Sequence, residues 1–196
     1  MKRLYLAALT ILAVAPLRAE LSNVPPGAYE LDNSHGYITF TYTHLGFSNP
    51  RVGFNAFDVS LDLDNDDPAE SRVEVEIDAT SIDSRVPVFN EHLNSADWFN
   101  TAEYPTISFR STSIEATGES RYAVTGDLTI MGTTRPVTLD ATINKAAEHP
   151  LREVPAIGIS ASADLLRSDW NLDGYVPAVS DEVKLSIEVE LLKSDD

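Results

Sequence analysis

Apolar and polar residues alternate with period two from residue 37 almost to the C-terminus, the signature of strands with one buried face and one wet face. In the first run Ile38, Phe40 and Tyr42 alternate with threonines, and after a turn at Ser48 to Pro50 a second run sets Phe57, Val59, Leu61 and Leu63 against Asp58, Ser60 and Asp62. A turn at Asn65 to Pro68 leads into Val73, Val75 and Ile77, with carboxylates between them. Five further runs follow, centred on Ile107 and Phe109, Tyr122 to Ile130, Val137 to Ile143, Ile157 to Leu165, and Val183 to Leu191. Short turn signals at 117–120 and 131–134 predict antiparallel pairing of neighbours. The exception is the stretch 86–99, where Phe89, Leu93 and Phe99 recur at roughly helical spacing and predict one or two helical turns.

Eight such strands must either close on themselves or split into two sheets. The pattern therefore predicts an all-β protein, an eight-stranded antiparallel barrel with a short helical insertion around residues 86–99. A barrel of this size is either filled by its own side chains or left open enough for one small ligand. Small residues at expected inward positions, Ala141, Ala161, Ala163 and Gly126 or Gly158, point to a narrow apolar bore beside Phe40, Phe109 and Ile130. The alternative is a packed barrel whose large residues reach across from opposite strands.

The start of the chain changes the picture. Lys2 and Arg3 precede the apolar run Leu4 to Val14, the order of charges and greasy residues found in secretory signals, and the run is too short to span a bilayer. Pro16 disfavours cleavage after Ala15, so the expected site follows Ala19, in a periplasmic or secreted protein. The expected organisation is a signal peptide at 1–19, a flexible or extended leader at 20–27 and one barrel domain at 28–193.

Removing residues 1–19 takes away Lys2, Arg3 and Arg18 and no acid, so 11 basic residues face 31 acidic ones, a net charge of −20 against −17 for the full chain. So acidic a surface repels nucleic acid and anionic headgroups, so direct membrane adhesion is disfavoured, and neither nucleic-acid binding nor stable membrane insertion is expected. Without cysteine there is no disulfide framework, thiolate metal site or cysteine nucleophile.

Read as strings, the chain resembles the YceI-like family of secreted polyisoprenoid-binding proteins. The likeness runs through YELDNSH at 29–35, ITF at 38–40, HLG at 44–46 and FNAFD at 54–58. Its most specific block is HLNSADWFN at 92–100, followed by YP at 104–105 and ISF at 107–109. GDLTIMGTTRPVTL at 126–139, RSDW at 167–170 and SDEV at 180–183 complete it. Two positions depart from the family pattern: Gly53 stands one place later than the usual glycine, and Asn171 and Leu172 replace a glycine-containing pair. The resemblance implies a lipocalin-like barrel whose tunnel holds a long isoprenoid chain, such as a polyprenyl phosphate or a quinone tail, and requires no cofactor.

On that reading Ile38, Phe40, Tyr42, Ile77, Phe109, Leu128, Ile130, Leu139, Ile159, Leu185 and Ile187 line the cavity. His44, Phe89, His92, Trp98, Phe99, Arg167 and Trp170 are expected at its entrance or against a headgroup, with Tyr175 nearby. Arg167 is a candidate for the headgroup because a guanidinium offers paired donors to phosphate or carbonyl; pairing with Asp169 or another acid is the structural alternative. The spacing of His35 and His44 across a strand argues against zinc, and Asp62, Asp64, Asp66 and Asp67 lack the glycine and the glutamate of a calcium loop, so no metal site is expected. No nucleophile elbow or phosphate-cradling loop occurs, and no catalytic residue is expected. A hydrolase or isomerase acting on such a lipid, and a ligand-free interaction module, are the competing readings. Headgroup, chain length and oligomeric state are not encoded in any motif.

Overall fold

A computed structural model describes residues 21–194; the signal peptide expected at 1–19 lies outside the described residues. Eight long strands close a ring: β1 (Gly27–His44), β3 (Phe57–Leu63), β4 (Arg72–Asp78), β6 (Thr106–Gly118), β7 (Arg121–Ile130), β8 (Thr133–Glu148), β9 (Pro155–Leu166) and β10 (Val179–Lys193). Each is antiparallel to its neighbours, and β10 returns to pair with β1 from Tyr29 opposite Lys193 to His44 opposite Val179. These are the eight runs that alternation marked. Two short strands went unmarked, β2 (Arg51–Phe54) and β5 (Ile82–Asp83), which carry the lines of β3 and β4 onward past breaks at 55–56 and Ala79–Ser81. They lengthen one end of the barrel wall.

Helix α1 (Pro87–Asn94) follows β5, within the stretch expected to be helical. Pro87 suits its first turn because the missing N–H is one that the helix would leave unpaired. Asn90 ties it to the sheet: its side-chain carbonyl accepts from Ser84 N at 2.7 Å, and its amide donates to Asp83 Oδ1 at 3.0 Å. The segment after α1 folds back through Trp98 and Phe99 to start β6.

The interior is divided lengthwise. At the end where β1 begins and β10 finishes, Tyr29 and Ile157 are wholly buried and Leu191 is 1% exposed. Leu21 and Val24 enter this layer from a short 3-10 turn, Leu21–Asn23, so these leader residues are an ordered plug rather than the loose segment expected for 20–27. Burial pushes the Tyr29 phenol up to about 12, and its hydroxyl donates to Pro25 O at 2.6 Å, fixing the plug to β1. The bore is closed at this end.

Gly126 faces inward on β7, where an added Cβ would lie 2.4 Å from the carbonyl oxygen of Arg110 and 2.5 Å from the Phe109 ring. Its role is to let that ring lie flat on the strand. Gly158 opposes Glu190 and Lys145 on the outer face. Asn171 ends the 3-10 turn Arg167–Trp170 at φ 63, so a residue tolerant of left-handed backbone keeps the conformation that the family's glycine would supply.

Candidate functional site

The opposite end of the barrel holds a cavity of about 600 Å³. Its walls come from β1, β2, β4, β6, β7, β8, β9 and β10, because inward residues of these strands find no partner across the axis at this level. Ten of the eleven residues expected on its wall are there: Ile38, Phe40, Tyr42, Ile77, Phe109, Leu128, Ile130, Leu139, Leu185 and Ile187. Ile159 is not. It stands opposite Ile143 and Val189, both buried, in the packed layer toward the closed end. Ala141, Ala161, Ala163 and Gly126 are also absent from the wall, so the cavity does not come from small residues. Large side chains surround a space that nothing enters.

Phe40, Phe54 and Phe99 form an aromatic cluster against one side, with ring centroids 6.1 to 6.5 Å apart. Phe99 is buried, and so is Trp170, whose indole N–H donates to Leu128 O at 3.2 Å; both belong to the wall rather than to the entrance expected for them. His44, Phe89, His92, Trp98 and Arg167 also line the cavity. Tyr175, expected near the entrance, lines the cavity; alternation could not find Val52 and Phe54 on β2, or Leu172 on the 171–178 segment, because short or irregular elements carry no period.

A chain of rings joins the two sides of the mouth. Phe89 stacks on His92 at 6.0 Å, His92 meets Trp98 edge-on at 5.6 Å, and Trp98 stacks on Tyr175 at 6.4 Å. The Trp98 indole N–H donates to His92 Nε2 at 2.6 Å, which leaves Nδ1 to carry the proton of the neutral ring. Arg167 lies 5.6 Å from the Trp98 ring centroid on the inner side.

Arg167 is 7% exposed and, among the described residues, forms no ion pair with Asp169 or another carboxylate. Its Nε donates to Ser180 O at 2.8 Å, Nη2 to Gly174 O at 2.9 Å and Val179 O at 3.1 Å, and Nη1 to Leu172 O. Four of five donors thus hold the backbone of the segment that rims the mouth, leaving one Nη1 hydrogen. Burial lowers the guanidinium's pKa, while the charges of Asp181 and Asp173 oppose that shift. Burial also raises the Tyr42 phenol. Polar side chains on the wall, Tyr42, His44, Arg51, Ser84, His92 and Arg167, gather toward the mouth, and no carboxylate lines it among the described residues.

Other candidate chemistry lies elsewhere. Asp32, His35 and Glu190 place ligand atoms within 4.8 Å of one another on the outside of the closed end. Yet Asp32 Oδ2 already receives Arg152 Nη2 at 3.0 Å, so a cation is in place. Hydrogen bonds from Ser34 and His35, with the charge of Arg152, hold the Asp32 carboxyl well below the usual range against the effect of burial. Asp64 and Asp67 accept from backbone amides within their own turn, as a solvated turn does. Arg110 pairs with Glu74 on the outer surface at 2.6 Å.

A family model for the YceI-like domain matches residues 29–191. Protein YceI of Escherichia coli O157:H7 is 35% identical over 181 residues, covering 91% of this chain and 94% of the relative. UPF0312 protein plu2095 of Photorhabdus laumondii is also 35% identical over 181 residues, covering 91% and 93%. Among solved structures, a YceI protein of Campylobacter jejuni matches with a TM-score of 0.71 at 28% identity, covering 78% of this chain and 90% of that one. BcnA of Burkholderia cenocepacia matches at 0.74 and 22% identity, covering 82% and 98%. A polyisoprenoid binding domain from Saccharophagus degradans, implicated in plant cell wall breakdown, matches at 0.67 and 13% identity, covering 87% and 100%. At such identities the last two establish a shared fold.

Proposed function

The chain belongs to the YceI-like domain family, and from that premise we propose that it binds a long isoprenoid lipid, a polyprenyl phosphate or a quinone-like molecule, with the tail in its barrel. The observation that carries this reading is the 600 Å³ apolar cavity, walled by aromatic and branched side chains and opening at one end. At about 24 cal/mol per Å³, a core cavity of that volume left unfilled would cost on the order of 10 kcal/mol, comparable with a domain's whole stability. A water molecule's share of the liquid is ~30 Å³, so the space takes ~20 methylene-sized groups, about four isoprene units. At ~0.8 kcal/mol for each buried CH₂ the transfer term is large enough for tight binding after the costs of association.

The tail enters first, and the polar end stays at the mouth beside Tyr42, His44, Arg51 and His92. Arg167 contributes chiefly by holding the rim, with one donor left for the headgroup. The reading is one of binding: the apolar wall supplies contacts for a tail, and the polar side chains at the mouth supply hydrogen bonds for a headgroup. The apolar run Leu4 to Val14 behind Lys2 and Arg3 supports export, cleavage after Ala19 and a periplasmic or secreted carrier. Polyisoprenoid binding by the Saccharophagus domain, on the same fold, is consistent with this cargo.

Organic extraction of the purified protein followed by mass spectrometry tests the proposal. The expected result is a ladder spaced by isoprene units or one long-tailed quinone. Failure of delipidated protein to take up either class at micromolar concentration would overturn it.

A further inference from the structure

Six large apolar side chains stand exposed around the cavity mouth: Leu45 (52%), Phe47 (89%), Val86 (49%), Val88 (71%), Tyr175 (71%) and Val176 (37%). They sit on three segments that form a ring. Leu45 N donates to Ala178 O at 3.1 Å, joining the 44–51 loop to the 174–180 segment. Tyr175 stacks on Trp98, and Trp98 meets His92 of α1 edge-on, which joins that segment to the helix. The helix returns to the loop through β5 and β2. Val86 and Tyr175 both stand in water and line the cavity, so the apolar lip is continuous with the apolar interior.

Charge follows the same outline. The chain carries 31 acidic residues among 196, yet residues 44–51, 84–90 and 174–180 contain none, and they do contain Arg51 and Arg85. Of the flanking carboxylates, Asp83 is engaged by Asn90, Asn55 and the Arg85 amide, and Asp181 by Ser168; Glu91, three residues after Val88 on α1, and Asp173, next to Gly174, border the ring. Each segment also holds one non-glycine residue at positive φ, Leu45 at 53°, Arg85 at 64° and Tyr175 at 64°. Bulky side chains disfavour that conformation, so their display is imposed by the surrounding structure.

We propose that this lip docks the mouth on the surface of a phospholipid bilayer, so that the isoprenoid passes between membrane and barrel without crossing water. The proposal rests on the cargo reading above and names where the cargo is exchanged. Overall charge repels a membrane, but the three apolar segments themselves carry Arg51 and Arg85 and no carboxylate, so the parts of the lip that meet lipid offer cations to its phosphates. Apolar side chains enter the interface and release ordered water.

The test loads wild-type protein and the variant Phe47→Ser/Val88→Ser with a fluorescent polyprenol and measures its transfer to phosphatidylcholine vesicles. Neither substituted residue lines the cavity, so uptake of the probe in solution is expected to match wild type. Wild-type transfer is expected to rise in proportion to vesicle concentration. The variant should transfer roughly tenfold more slowly, given two fewer apolar anchors. Phe47→Trp, at a freely exposed position, should show a blue shift of its emission on adding vesicles. A wild-type rate independent of vesicle concentration, a variant as fast as wild type, or no blue shift overturns the proposal. So does a stable dimer that the double substitution abolishes, which would assign the lip to a second copy. If no protein takes up the probe, the cargo reading fails instead, and flotation of unloaded protein with the vesicles still decides the docking.

Discussion

On β9 and β10 the closed end of the barrel buries Ile157 completely and Leu191 to 1%, whereas Leu165, Leu185 and Ile187, nearer the mouth on the same strands and the same face, are only partly buried. The residue types do not differ. At the closed end Leu21, Val24 and Tyr29 are buried in the core; at the open end α1 and the 171–178 segment line the cavity. Alternation thus gives a strand an inner face, and what arrives at the end of the barrel makes that face core or cavity.

The largest expected effect tests this contrast directly. Ile157→Ala and Leu191→Ala should each cost about 4 kcal/mol in urea unfolding, near the upper range for core truncation, because the plugged layer cannot collapse. Leu185→Ala and Ile187→Ala should cost less than about 2 kcal/mol in delipidated protein, since each already lacks contacts on one side. Equal losses at both ends would break the comparison.

A second expectation concerns how the open end keeps its shape. Arg167→Leu should cost about 3 kcal/mol, as the carbonyls of Leu172, Gly174, Val179 and Ser180 lose a charged donor in a buried place. Limited proteolysis should then cut within 171–178 while amide exchange of β9 and β10 near Ile157 and Leu191 stays slow. Uniformly faster exchange would show that the two ends unfold as one.

The smallest effect belongs to the closed end's outer surface, where Asp32 ties β1 to Arg152 of the β8–β9 connection. Its pKa is depressed in the folded state, so its contribution is present in full above the unfolded carboxyl value of ~3.9 and is lost as pH falls toward the folded value. Asp32→Asn should therefore cost about 1 to 2 kcal/mol at neutral pH, and the gap to wild type should close in acid below pH ~4. A gap that widened in acid would contradict the assignment. Ligand affinity should stay unchanged throughout, since Asp32 lies outside the cavity wall.

Much of the site was legible because inward facing is a property of register. Once Phe40, Phe109 or Ile187 sits in an alternating strand, its side is decided with the rest of that strand. Depth along the barrel axis leaves no such mark, which is why Ile159 looks like Ile187 in the sequence and lies in a different layer. Leu21 and Val24 sit beside two prolines in a stretch without period, and nothing local distinguishes a plug from a loose leader. Phe99 and Trp170 were identifiable as aromatics near the mouth, but the fold-back after α1 and the turn at Arg167–Trp170 bury them in the wall.

By itself the sequence determined the eight-strand count, the inward faces, the place of the helix and the acidic surface, all of which follow from neighbours a few residues apart. Tertiary structure alone decided that one end is plugged and the other open, that Arg167 spends its donors on carbonyls, and that three distant segments free of carboxylates meet in one lip. The reason is that closing a barrel brings together residues far apart in the chain, and whether a given layer fills depends on the summed volume of side chains from many strands rather than on any one of them.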